Sequence, residues 1–250
     1  MDLGFKGKVA IITGTGSQIG YGQGIAKFMA KEGCTIFGVD HYQWEGCQQT
    51  AKDIIAAGGK AAAFKADCGK KEQAAAAAKE CIAKFGKIDI LINNAGASTA
   101  FKPFLETTEE EWNKDMNDNL YSQMMMVKAA APYMIERKYG RIVCYSGGQG
   151  LANNAMYGAA KAGAVAFAHS ISKELAPHGI IVNILMPGVG NTGLGGSMKK
   201  LPSPFLDAIA NRTMLKRLCT PEDMAPAVAF LASDVCSYMV GASLALSAMG

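Results

Sequence analysis

The sequence predicts an α/β protein: a doubly wound, single-domain fold with a parallel sheet of about seven strands and helices on both faces. Three observations carry this expectation. Short apolar runs alternate with amphipathic segments along the whole chain. The runs show little polar alternation, as strands buried on both faces do. The β-α-β order repeats with no linker rich in Pro, Ser or Gly, which favours a parallel sheet over separate domains. A chain of 250 residues, 50% of them hydrophobic, is enough for one substantial core, so residues 1–250 are read as one domain.

The elements follow in order. The first strand is Val9 to Thr13, and a Gly-rich turn leads from it into a helix near 23–32. The next strand, Thr35 to Val39, precedes a helix near 43–57, and Lys60 to Ala66 precedes one near 70–85. Ala74 to Ala78 in that helix is good helix composition and carries no further message. Ile88 to Asn93 is the fourth strand, followed by a long helix over 107–137. Gly140 to Tyr145 and Ile180 to Met186 flank a helix over 154–177. A helix over 221–232 and the strand Ser243 to Leu246 close the chain. The stretch 187–218 breaks the alternation with Gly188, Gly190, Gly193, Gly195, Gly196, Pro202 and Pro204. A loop this long inside a compact domain is usually functional. It is read as a lid, with Phe205, Leu206, Ile209, Met214 and Leu215 forming an apolar lid helix.

Composition excludes several classes of function. The 25 basic and 21 acidic residues leave a net charge of +4, with no basic run, so neither nucleic acid nor an anionic membrane is implied as a partner. Seven Cys, with no C-x-x-C spacing and no secretory signal, read as free thiols in a cytoplasmic protein. The first strand starts so early that it leaves no room for a transit peptide, and the apolar runs are strand-sized rather than membrane-sized. His169 and His178 have no metal-ligand spacing with Cys, Asp or Glu, so no catalytic metal is expected.

The turn after the first strand reads Thr13-Gly-Thr-Gly-Ser-Gln-Ile-Gly-Tyr-Gly-Gln-Gly. A Gly-rich turn between strand and helix aims backbone N–H groups at a pyrophosphate, helped by the helix dipole. Gly14, Gly16, Gly20 and Gly22 are the candidate glycines. The second strand ends at Asp40, twenty residues beyond Gly20. A carboxylate there can accept from ribose hydroxyls and would repel a 2′-phosphate, so NAD is expected over NADP. The competing assignment for Asp40 is a cap on the helix that follows.

Tyr157 and Lys161 lie four residues apart in a segment of helical composition and so share one helix face. A phenol beside an ammonium suits proton exchange with an alcohol or ketone, and the cation is expected to lower the phenol pKa from about 10. With Thr13-Gly14, Asp67, Asn93-Asn94-Ala95-Gly96, Asn119, and Pro187-Gly188 followed by Thr192, the chain resembles the short-chain dehydrogenase/reductase family over nearly its whole length. The resemblance implies a Rossmann-like domain and nicotinamide-dependent hydride transfer between a secondary alcohol and a ketone. It also implies that Asp67 and Cys68 flank the adenine and that Asn94, Ala95 and Gly96 shape the sheet edge beneath the ribose. Asn119 would hold a water linking Lys161 to solvent, Thr192 would bind the carboxamide, and Lys161 would hold the nicotinamide ribose. Asn183 is read as structural. Acyl-CoA and acyl-carrier ketones fall within the same family. A dimer or tetramer built on the two long helices is implied as well.

The chain departs from the family pattern in three places. Five residues, Thr15 to Ile19, stand where three are usual if Gly20-Tyr21-Gly22 is the Gly-x-Gly part; the other register puts Gln18 where Gly is expected. The catalytic Ser position aligns with Gly147 without a gap, and a local shift would bring Ser146 into it; Ser146 is the residue chosen. The usual Val-Asp-Gly-Gly tail is replaced by Leu246-Ser-Ala-Met-Gly. These departures motivate a second reading, a catalytically silent subunit that partners an active homologue. The substrate pocket is expected from Ser98, Gly148, Gln149, Asn153, Asn154, Val189 and the lid, with Lys199 and Lys200 as a basic hint of acyl-CoA. Met124 to Met126 and Trp112 are read as core or subunit contact.

Overall fold

The structure, a computed structural model, describes residues 2–192 and 203–248. Seven parallel strands form one sheet: β1 (Val9–Thr13), β2 (Thr35–Asp40), β3 (Ala61–Lys65), β4 (Ile90–Asn93), β5 (Gly140–Tyr145), β6 (Ile180–Pro187) and β7 (Ser243–Leu246). Their spatial order is β3-β2-β1-β4-β5-β6-β7. The unbroken apolar runs now have a cause. In β1, Val9 and Ile11 face one core while Ala10 and Ile12 face the other, and all four are buried. The same holds in β5, where Ile142 and Cys144 point to one side and Val143 and Tyr145 to the other.

Helices α1 (Tyr21–Lys31), α2 (Trp44–Ala56) and α8 (Pro221–Ala232) supply Ile25, Met29, Ile54 and Val228 to one core. Helices α3 (Lys71–Phe85), α5 (Ser122–Arg137) and α6 (Ala155–Leu175) supply Ala77, Cys81, Met126, Ala130 and Ala168 to the other. The expected elements are thus present, with ends displaced by at most two residues. The one internal difference lies in the long helix over 107–137. It is α4 (Glu109–Met116), then a π-helical turn over Asn117–Tyr121, then α5. A capping box at Thr108 and Glu111 starts α4 two residues later than expected.

A helix α7 (Ser203–Arg212) occupies the expected lid. Leu206 is buried, but Met214 and Leu215 lie beyond the helix and are exposed, at 68% and 63%. Gly193, Gly195, Gly196, Lys199, Lys200 and Pro202 lie outside the described residues, as does the side chain of Phe205. Trp112 stacks on Phe104 rather than entering the core. Of the three Met, Met126 is fully buried and Met125 packs at the edge of the same core. Among the described residues no helix is long and apolar enough to cross a membrane.

Candidate active site

β1 and β4 lie side by side, and the strand order reverses there. In such sheets ligands bind outside the carboxyl ends of the strands at that crevice. A cleft of ≈ 1010 Å³, mouth included, opens at this place. Its walls include Gly14, Gly20, Gly22 and Asp40 from the first two strands and their turns, and Asp67 and Cys68 after β3. Asn94, Ala95 and Gly96 follow β4, Ser146 follows β5, Tyr157 and Lys161 come from α6, and Pro187 and Thr192 from the end of β6. Gly16 and Asn119 stand behind the lining and brace it.

The turn after β1 is built around Asp40. Its Oδ2 accepts from the Gly16 N–H at 2.8 Å and its Oδ1 from the Gln43 N–H at 2.9 Å. The carboxylate therefore supports both the turn and the approach to α2, but it is not the helix cap that the competing assignment made it: the N-cap is Gln43, with no side-chain cap bond, and Asp40 still faces the cleft. Gln18 accounts for the extra residues: its amide donates to the carbonyls of Gly16 and Gly46 and to Thr50 Oγ1, folding the enlarged turn down onto α2. Gly20 is the N-cap of α1 with no side-chain cap, so the first N–H groups of that helix have no side chain as acceptor. A Cβ on Gly22 would lie 2.2 Å from the Gly14 carbonyl, which explains why this position must be Gly. Two bonds tie the turn to the segment after β6: Ser17 Oγ donates to the Thr192 carbonyl at 2.6 Å, and the Tyr21 hydroxyl to the Gly188 carbonyl at 3.0 Å.

The floor of the cleft is stitched to β1. Asn94 donates from its amide to the carbonyls of Thr13 and Gly14, and the Ala95 N–H donates to Thr13 Oγ1. A Cβ on Gly96 would lie 2.7 Å from Asn119 Oδ1 and 3.0 Å from Lys161 Nζ, so only Gly lets these two side chains flank the backbone. Asn119 sits in the π turn, an irregularity frequent at functional sites, and bonds Ala97 with both ends of its amide. After β3, Asp67 Oδ1 accepts from the Gly69 N–H and Cys68 is buried.

Tyr157 and Lys161 are buried together, the Lys161 ammonium 5.6 Å from the Tyr157 ring centroid. Their titration differs from the expectation. Burial, aided by the charge of Asp115, pushes the Tyr157 phenol up to about 12 rather than down. Burial also pulls Lys161 down to about 8. The same desolvation that raises the phenol weakens the cation expected to lower it. Ser146, chosen to hold the substrate oxygen, donates its hydroxyl to the Lys161 carbonyl at 2.9 Å and accepts from the Gln149 amide at 2.8 Å. Ser98 and Asn154, expected in the substrate pocket, are buried and bonded to each other at 2.9 Å.

Several residues of the site escaped the sequence reading. Gln123 donates to the carbonyls of Asn119 and Tyr145 and accepts from the Tyr145 N–H, pinning the π turn to the end of β5. Tyr42, Asp118 and Ser122 line the cleft. The Tyr42 hydroxyl donates to the Asp118 carboxylate, and Lys114 bonds both. The Tyr145 hydroxyl is buried on the cleft wall with no hydrogen-bond partner among the described residues. An uncapped helix start, Gly positions that a Cβ would fill, and this orphaned hydroxyl together fit a bound dinucleotide.

Comparison with known proteins agrees with this geometry. A family described as enoyl-(acyl carrier protein) reductase matches residues 14–248. A 3-oxoacyl-[acyl-carrier-protein] reductase of Vibrio cholerae is 34% identical over 97% of this chain and 96% of its own. A cis-4-hydroxycyclohexanecarboxylate dehydrogenase of Sinomonas cyclohexanicum is 33% identical, over 98% and 97%. An acetoacetyl-CoA reductase of Allochromatium vinosum is 33% identical, over 95% and 96%. The crystal structure of a dehydrogenase/reductase from Sinorhizobium meliloti superposes with a TM-score of 0.89 at 28% identity, covering 99% of this chain and 96% of the other.

Proposed function

Since the chain belongs to the short-chain dehydrogenase/reductase family, oxidoreductases that bind a nicotinamide cofactor, we propose that it interconverts a secondary alcohol and a ketone, with NAD as its dinucleotide. The observation that carries this reading is the buried Tyr157–Lys161 pair on the wall of the same cleft that begins at the Gly turn. The bound dinucleotide supplies the hydride donor or acceptor. The chain's residues do the rest. The Gly turn and the start of α1 hold phosphate, and Asp40 keeps lone pairs for ribose hydroxyls beyond its two backbone bonds. Among the described lining residues Lys161 is the one Lys or Arg, and it sits beside Tyr157. Asp40 and Asp67 make the adenosine end unsuited to a 2′-phosphate.

Tyr157 moves the proton at the substrate oxygen. With its phenol pushed up by burial, it rests protonated at neutral pH and can give that proton in ketone reduction. Lys161 would hold the nicotinamide ribose. Asn119 and Gln123 fix the π turn that backs Gly96 and Lys161. The names of the relatives point to ketones on acyl thioesters or on saturated rings as substrates. Assembly as a dimer or tetramer through α5 and α6, in the cytoplasm, completes the proposal.

The test is reduction of acetoacetyl-CoA and of 4-oxocyclohexanecarboxylate with NADH and NADPH. Turnover with NADH, lowered about 10³-fold in Tyr157→Phe, is expected. Equal turnover by that variant would refute the role of the phenol. No saturable NADH binding would favour the silent-subunit reading, and saturable binding with no turnover a nucleotide-sensing module.

A further inference from the structure

A reacting carbonyl oxygen gathers negative charge and is best served by two donors, of which the Tyr157 phenol is one. The chain after β5 offers few candidates for the other. Gly147 and Gly148 carry no side chain and have φ of +114° and +67°, where L residues are strained. A Cβ on Gly148 would lie 2.6 Å from Tyr157 Cε1, and one on Gly147 would lie 3.2 Å from Pro187 Cδ. The backbone thus lies against the Tyr157 ring and leaves no space for a hydroxyl-bearing residue there. Ser146 has one proton, and it is given to the Lys161 carbonyl inside the protein. Lending it to a substrate would break a buried bond to α6.

Gln149 is different. Its side chain is exposed, and its amide nitrogen is held 2.8 Å from the Oγ of Ser146, a residue of the cleft lining. Its backbone packs on the first turn of α6, the Cα 3.7 Å from where a Cβ on Gly158 would sit. A carboxamide nitrogen has two N–H groups, and one is used on Ser146. We propose that the second N–H of Gln149 is the other donor to the substrate oxygen, and that Ser146 is the positioning residue that aims it. The inference rests on the oxidoreductase reading above. In the reducing direction the carbonyl carbon receives the hydride with its electron pair. The C=O π pair moves to oxygen, Tyr157 gives that oxygen a proton, and Gln149 stabilises the charge in passing without changing its own protonation.

The experiment compares Gln149→Ala, Gln149→Glu and Ser146→Ala with the unaltered chain in ketone reduction with NADH. Gln149→Ala is expected to lower kcat about 10²-fold, with NADH affinity and melting temperature unchanged. Gln149→Glu should be as slow at neutral pH and recover in acid, where its carboxyl regains a proton to donate. Ser146→Ala should lose less, because the amide remains. An active unaltered chain with Gln149→Ala undiminished overturns this assignment alone, and a 10²-fold loss confined to Ser146→Ala returns the role to the hydroxyl. An unaltered chain that reduces neither ketone overturns the oxidoreductase reading and this inference with it.

Discussion

Lys161 is 3% exposed, and no carboxylate pairs with it among the described residues. Burial lowers it from 10.5 to about 8, so the folded chain binds fewer protons here than the unfolded chain between those two values. Stability contributed by this group therefore rises with pH across about 8 to 10.5, and below about 8 the charged ammonium is a cost on the order of 3 kcal/mol. Lys161→Met is expected to be more stable than the unaltered chain at pH 7 and to have lost turnover. Its advantage should shrink as pH rises through that window. Denaturant unfolding at several pH values checks this, and a less stable variant at pH 7 would show that the ammonium is compensated. The sequence made the Tyr-Lys pair visible because helical spacing places i and i+4 together. It hid the direction of both shifts, because burial depends on what covers the pair. Asp40 was legible as a carboxylate at a strand end, but its bonds to Gly16 and Gln43 depend on how the enlarged turn folds.

Among the elements, the π turn over Asn117–Tyr121 is the one the periodicity could not reveal. One added residue in a helix of 29 changes no apolar stripe enough to notice. The residue that exploits it, Gln123, makes three bonds to groups that include a strand end 22 residues away. Such side-chain to backbone bonds leave no repeating mark in a sequence, whereas strands buried on both faces leave a plain one. Gln123→Ala strands the Tyr145 N–H and two carbonyls. It is expected to cost about 2–4 kcal/mol in chemical unfolding and to slow ketone reduction, because Ser146 follows Tyr145 directly. Wild-type stability would mean that water replaces the amide.

Across the whole molecule, the alternation of strands and helices was enough to give the sheet. The crevice between β1 and β4 then follows from right-handed crossovers placing later strands on the far side of β1. What lies outside one chain was not legible. Tyr238 is 99% exposed, and Val235, Val240 and Phe230 are exposed near it in sequence, between the body of α8 and β7. An apolar surface of this kind usually meets a partner. Light scattering on the purified chain is expected to give two or four times its 26.2 kDa; a monomer would refute the assembly.

The hydroxyl of Ser17 on the Thr192 carbonyl fastens the first loop of the chain to one far along it, across the top of the crevice. A cofactor that leaves after each turnover is expected to undo that clasp and remake it, since both residues line the cleft. Turnover is therefore expected to be governed by unbuttoning rather than by chemistry. Ser17→Ala should then release NADH faster in a stopped-flow chase while leaving a single enzyme-bound turnover at its former rate.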